Sequence, residues 1–275
     1  MMRRCFKPWD IFRAQGFTLI ELAIVLAILG LLLGGASMLL QPVLDNNKRT
    51  ETRARLKSIE DALTIYAATN FDLPCPSNPA LGPGSALNGV EANPVTVCNA
   101  GANPMASGGV PWQTLGLSEA DVLDGWGRRI SYAVTGNLAD ATGAPPATAP
   151  LNCPANGFSL ILRGKLENRG ANNAAIGAAA LGAADAARAA YVLISHGENG
   201  VGGYLRSGAQ TPDTLPSSTS VTELGNIKTV GANAAAQVIF HYEKLAAGDA
   251  IVGFDDIVRS RTSGQIAISY GCNTP

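Results

Sequence analysis

Between Phe17 and Leu40 the chain runs for 24 residues with one ionisable side chain, Glu21. No polar face exists between Leu22 and Leu40, so the run lacks the two-sided pattern of a helix lying on a protein core. As an α-helix the segment would measure about 36 Å, against a bilayer core of roughly 30 Å, and would cross with some tilt. A lone acid in such a segment is costly and calls for a partner. Gly30, Gly34 and Gly35 weaken the helix or allow close helix–helix packing, and Pro42 is expected to kink or break it. Three other readings compete: an ordinary single-pass anchor, a secretory signal peptide ending near Gly34-Gly35-Ala36-Ser37, and a buried core helix. Against the second, the run exceeds the roughly 7–15 apolar residues of such peptides and contains an acid.

Past Pro42 the pattern changes. Leu56, Ile59, Leu63 and Tyr66 recur at helical spacing, with Arg53, Arg55, Lys57, Glu60 and Asp61 on the remaining faces. Glu51 and Arg55 form a favourable i, i+4 pair. Val43 to about Thr69 therefore reads as an amphipathic helix whose apolar stripe needs a cover. A coiled coil is the alternative, but the stripe lasts only two heptads. Pro74 and Pro76 end the helix.

Residues 76–110 are rich in Gly, Pro, Asn and Ala and read as one long loop. A short helix is expected over Ser118–Val122, from a capping-box-like start. Strands are expected over Arg129–Val134, Phe158–Arg163, Tyr191–Ser195, Gln237–Tyr242, Ala250–Phe254 and Gln265–Tyr270. The alanine-dominated stretch 171–190 is read as partial helix over Ala178–Ala189. No regular helices separate the strands, so antiparallel pairing is expected and the fold class is α+β.

Charge and cysteines narrow the picture. The net charge is −1, and Arg3, Arg4, Lys7 and Arg13 against Asp10 make the first sixteen residues +3, leaving −4 for the rest. No basic stripe suggests nucleic acid. Lys/Arg flank both ends of the apolar run, so they do not decide its orientation. Beyond Cys5 stand Cys75, Cys98, Cys153 and Cys272, an even number that suits an oxidising compartment. Of the three pairings, Cys75–Cys98 with Cys153–Cys272 is favoured, because the first pair brackets the Pro/Gly/Asn-rich loop; free buried thiols are the alternative. Zinc is disfavoured, since no Cys-x-x-Cys is present and the two histidines are far apart.

Gly16 followed by Phe17-Thr18-Leu19-Ile20-Glu21-Leu22, behind a short basic leader, resembles the processing site of type IV prepilins and type II secretion pseudopilins. The resemblance covers about 25 residues. It implies cleavage after Gly16 by a membrane-embedded prepilin peptidase, methylation of the new terminus at Phe17, and pairing of Glu21 with the amine of a neighbouring subunit. Two buried charges are tolerated only when paired, so Glu21 would select register. The resemblance further implies a lollipop plan: leader 1–16, transmembrane helix 17–40, periplasmic amphipathic helix 41–70, and a β-rich head 71–275 with an antiparallel sheet and long loops. The N-terminus would be cytoplasmic and the head periplasmic, in a bacterial inner membrane. Other pilin-like subunits, an assembly platform and an ATPase would be the partners. In such filaments the helix between a glycine and a proline can unwind, here Gly30 to Pro42. Asp124-Gly125-Trp126-Gly127 resembles the Asp-x-Trp-Gly turn of major pseudopilins, with Gly125 in place of their common proline. Trp112 and Trp126 are expected to pack over the helix stripe; a carbohydrate platform is the alternative.

Chemistry is sparse. Ser195 and His196 adjoin, but in an extended segment they point to opposite faces, the wrong arrangement for a nucleophile and its base. The Ser195–Gly200 run resembles a pseudopilin turn after which some members bind calcium. Glu198, Asn199, Asp255 and Asp256 would offer oxygens to Ca²⁺ if their loops meet. The expected role is a non-enzymatic filament subunit, minor rather than major because long loops hinder all-round packing. A surface adhesin or DNA-uptake pilin is the rival, and a membrane-tethered periplasmic enzyme a further one.

Overall fold

The computed structural model describes residues 18–70, 72–92, 98, 105–139, 164–169, 175–176, 188–211, 225–227, 231–233, 239–241 and 254–269, with backbone only for 32–41, 137, 175–176, 231–233, 239, 241 and 267–269. The chain divides into two compact units, Met1–Asn46 and Asn47–Pro275.

The first unit holds the start of helix α1 (Leu19–Asn70). The helix passes Pro42 without ending, so the expected break is not seen. Among the described residues no helix is long and apolar enough to cross a membrane. The 17–40 span expected from sequence includes 32–40, whose side chains lie outside the description.

In the second unit α1 continues to Asn70 and buries Thr52, Leu56, Ile59, Glu60, Leu63 and Ala67, one stripe at spacings of three and four. The stripe faces a five-stranded antiparallel sheet with strand order β10-β6-β3-β1-β8. These strands are β1 (Met105–Gly109), β3 (Ser131–Thr135), β6 (Ala189–Ser195), β8 (Gly231–Asn233) and β10 (Ile257–Thr262). Alternation assigns the faces. Tyr132, Val134, Tyr191 and Leu193 pack with the helix stripe, while Ala133, Val192, Ile194 and Val258 join Leu166 and Phe240 on the other side. Trp112 and Trp126 sit partly buried against the helix-side core. That far side carries a three-stranded sheet of β4 (Glu167–Arg169), β5 (Ala175–Ile176) and β9 (Ile239–His241). A two-stranded ribbon pairs β2 (Arg128–Arg129) with β7 (Tyr204–Leu205).

Several expectations are corrected. Glu60 is not on a solvent face: it is buried and accepts from Arg259 Nη2 at 2.8 Å, tying α1 to β10. The loop read over 76–110 ends in β1, which lies between β3 and β8. Its Met-Ala-Ser-Gly-Gly sequence has no β-branched residue, yet smallness is required there. A Cβ on Gly108 would fall 2.4 Å from the Ser77 carbonyl oxygen. Residues Ser263–Ser269 form a helix, α2, where a strand was expected over Gln265–Tyr270. Its start is a reciprocal cap, with Thr262 N–H donating to Gln265 Oε1 and Gln265 N–H to Thr262 Oγ1. Strand β10 falls between two expected strands and was not foreseen. Antiparallel pairing holds in the large sheet, but β4 and β9 run parallel. Ala189 is strand, not helix, and Ala175–Ile176, ahead of the expected helix, is strand as well; 178–187, Phe158–Arg163 and Ala250–Gly253 lie outside the described residues.

Gly125 explains its own departure from proline. Its N–H donates to Thr52 Oγ1 at 2.9 Å, and a Cβ there would stand 2.4 Å from the Lys48 carbonyl oxygen. Proline would lose that donor and collide with α1.

Candidate functional site

At the N-terminal end of α1, Thr18 and Glu21 cap one another. Thr18 N–H and Oγ1 each reach Glu21 Oε2 at 3.0 Å, and Glu21 N–H donates to Thr18 Oγ1 at 3.3 Å. This is a Thr-x-x-Glu capping box, legible in the sequence at 18–21 but not singled out there. It satisfies helix donors that have no partner inside the helix. The carboxylate therefore sits at the positive end of the helix dipole. Around it the apolar side chains are open: Leu19 is 88% exposed and Leu26 60%. Gly16 and Phe17 lie outside the described residues.

In the second unit Cys75 and Cys98 form a disulfide with Cα atoms 6.0 Å apart. Cys153 and Cys272 lie outside the described residues. Glu91 clamps the base of this loop, accepting from Cys75 N–H at 2.6 Å and from Tyr66 Oη at 3.4 Å. Burial pushes the Glu91 carboxyl pKa up, against the pull of those donors.

The loops carrying the calcium candidates do meet, but through N–H donors. Asp255 Oδ2 accepts from Glu198 N–H at 2.7 Å and Asn199 N–H at 2.9 Å. Asp256 Oδ2 accepts from Asn226 Nδ2 at 2.8 Å, and Asn199 Oδ1 from Val201 N–H at 3.0 Å. Among the described residues no group of three or more His, Cys, Asp or Glu is arranged to hold a metal.

Ser195 and His196 point apart. Ser195 Oγ donates to Asp124 Oδ2 at 2.8 Å on the helix side. Asp124 Oδ1 also accepts from Trp126 N–H and Arg128 N–H, and burial raises its pKa. His196 instead meets Ser131 Oγ, 2.9 Å from its Nε2. The ring is 2% exposed; burial, and secondarily the Arg128 charge, lower its pKa to about 4, so it is neutral at ordinary pH. Sequence spacing offers no sign of the Ser131–His196 pair, which exists only because β3 lies beside β6.

Residues 11–37 match the family described as the prokaryotic N-terminal methylation motif. The chain thus carries the prepilin-type signature of the type IV pilin and pseudopilin family over its N-terminal segment. No curated protein and no solved structure matches the chain.

Proposed function

We propose that the chain is a minor pilin or pseudopilin, a structural subunit of a type IV pilus or type II secretion filament. The observation that carries this is the methylation motif over 11–37, with Glu21 inside an otherwise uncharged run. In this reading residues 1–16 are a leader removed by prepilin peptidase, 17–40 a transmembrane helix, 41–70 a periplasmic helix and 71–275 the head. Phe17 becomes the methylated terminus. A platform protein and an ATPase extract the subunit from the inner membrane. The Glu21 carboxylate, held by its own Thr18 before assembly, exchanges that contact for the Phe17 amine of a neighbour. The exchange is cheap in register, because one charge-assisted bond replaces another, and costly out of register, where a buried charge stays unpaired.

Mass spectrometry of the membrane-extracted protein should find Phe17 at the N-terminus with one added methyl; an intact Met1 terminus would overturn the reading. Glu21→Ala should be processed normally yet enter filaments at least tenfold less than wild type. Incorporation at the wild-type level would remove the pairing role.

A further inference from the structure

We propose that the far face of the five-stranded sheet carries a serine acyl-transfer site, with Ser131 as nucleophile, His196 as its base and Asp256 as positioning residue, acting on a small uncharged ester. The three come from neighbouring strands: Ser131 opens β3, His196 follows β6, and Asp256 precedes β10. Ser131 shares its face with Ala133, His196 with Val192 and Ile194, and Asp256 with Val258, so the three side chains leave one face of the sheet, with Ser131, opposite Ile194, diagonal to His196. Ser131 Oγ is 2.9 Å from His196 Nε2, and His196 Nδ1 is 4.0 Å from Asp256 Oδ1. At 4.0 Å that carboxylate, itself held by Asn226, is beyond hydrogen-bond reach and acts through its charge, which favours the ring proton on Nδ1. Nε2 is then left to accept the Ser131 hydroxyl proton, the arrangement that activates a serine.

Ser131 is half-buried and borders a narrow cleft whose described lining contains Pro79, Ser107, Ala133, Ile194, Tyr204 and Phe240. Among the described residues lining it no side chain is charged at ordinary pH, which suits an uncharged ester. Ser131 Oγ attacks the acyl carbon while its proton passes to His196 Nε2. The bond to the leaving alcohol breaks, and the alcohol takes that proton. Water then attacks the acyl-serine by the same proton route, releasing the carboxylic acid and restoring Ser131. Nothing in this chemistry depends on filament assembly.

The test is to treat the folded full-length protein, in detergent, with a biotinylated fluorophosphonate, which forms an Oγ–P bond as fluoride leaves. Mapping by mass spectrometry should place the adduct on Ser131, and 4-nitrophenyl acetate should be hydrolysed at least tenfold faster than in buffer. Ser131→Ala should abolish both. His196→Asn should slow labelling tenfold or more. Asp256→Asn should shift the pH profile of the labelling rate, which a purely structural role would leave in place. Wild-type protein that is folded by its melting curve but unlabelled at Ser131, or labelled only at other serines, overturns the proposal.

Discussion

The two ends of α1 use the same residue types for opposite purposes. Over 19–31 leucines and isoleucines occur on every side and are open, Leu19 at 88% and Leu26 at 60%. Over 52–67 all but Ile65 fall on one stripe, and Leu56, Ile59 and Leu63 are fully buried under the sheet. The acids differ in the same way. Glu21 is exposed and, among the described residues, held by Thr18 of its own helix turn, whereas Glu60 is buried and held by Arg259 and Arg261 from β10. The second half of the helix is completed by its own chain. In the first half the apolar side chains stand exposed among the described residues.

The sharpest way to break this contrast is to truncate one leucine in each half. Leu63→Ala should destabilise the head by about 2–5 kcal/mol in thermal or urea melting, because it leaves a cavity in the helix–sheet core. Leu26→Ala should leave the same melt within about 0.5 kcal/mol. Equal effects would mean that the two halves are not distinct. Next in size is the disulfide. Replacing Cys75 and Cys98 together by Ser removes a link across 23 residues and should cost about 3 kcal/mol, seen as a lower melting temperature than oxidised wild type. The smallest expected effect concerns pH. The folded Glu91 pKa is raised above its ordinary value of 4.5, so this group's contribution to stability is complete below that value and is lost as pH rises through the folded pKa. Glu91→Gln keeps an acceptor for Cys75 N–H but cannot ionise. Its melting temperature relative to wild type should therefore rise between pH 4 and pH 8; a flat difference would remove the buried carboxylate from the account.

Legibility in the sequence followed the range of the interactions. The amphipathic stripe at Leu56, Ile59 and Leu63 was readable because its contacts repeat at helical spacing. The short turn after Ser118 was readable for a similar reason: Asp121 Oδ2 accepts from Ser118 N–H and Oγ within one turn. Strand β1 was not, because its small residues answer to Ser77 crossing over Gly108, a demand absent from the local pattern. The segment 265–269 was misread because a short apolar run fits helix or strand equally. The Thr262-x-x-Gln265 cap decides for helix. The burial of Glu60 depends on two arginines nearly 200 positions further along the chain, and no local rule announces it.

The sequence alone determined the prepilin-type segment, since a glycine, an aromatic and an acid at fixed spacing ahead of an uncharged run are recognised along the chain and need no folded partner. It also determined that α1 has one face to bury past Pro42. Tertiary structure alone decided that this face meets the β3–β6–β10 side of an antiparallel sheet. It also decided that Glu60 is a buried anchor, and that Ser131 stands beside His196. Strand order brings those groups together across gaps of 65 to 201 residues, and strand order is set by the packing of the whole head.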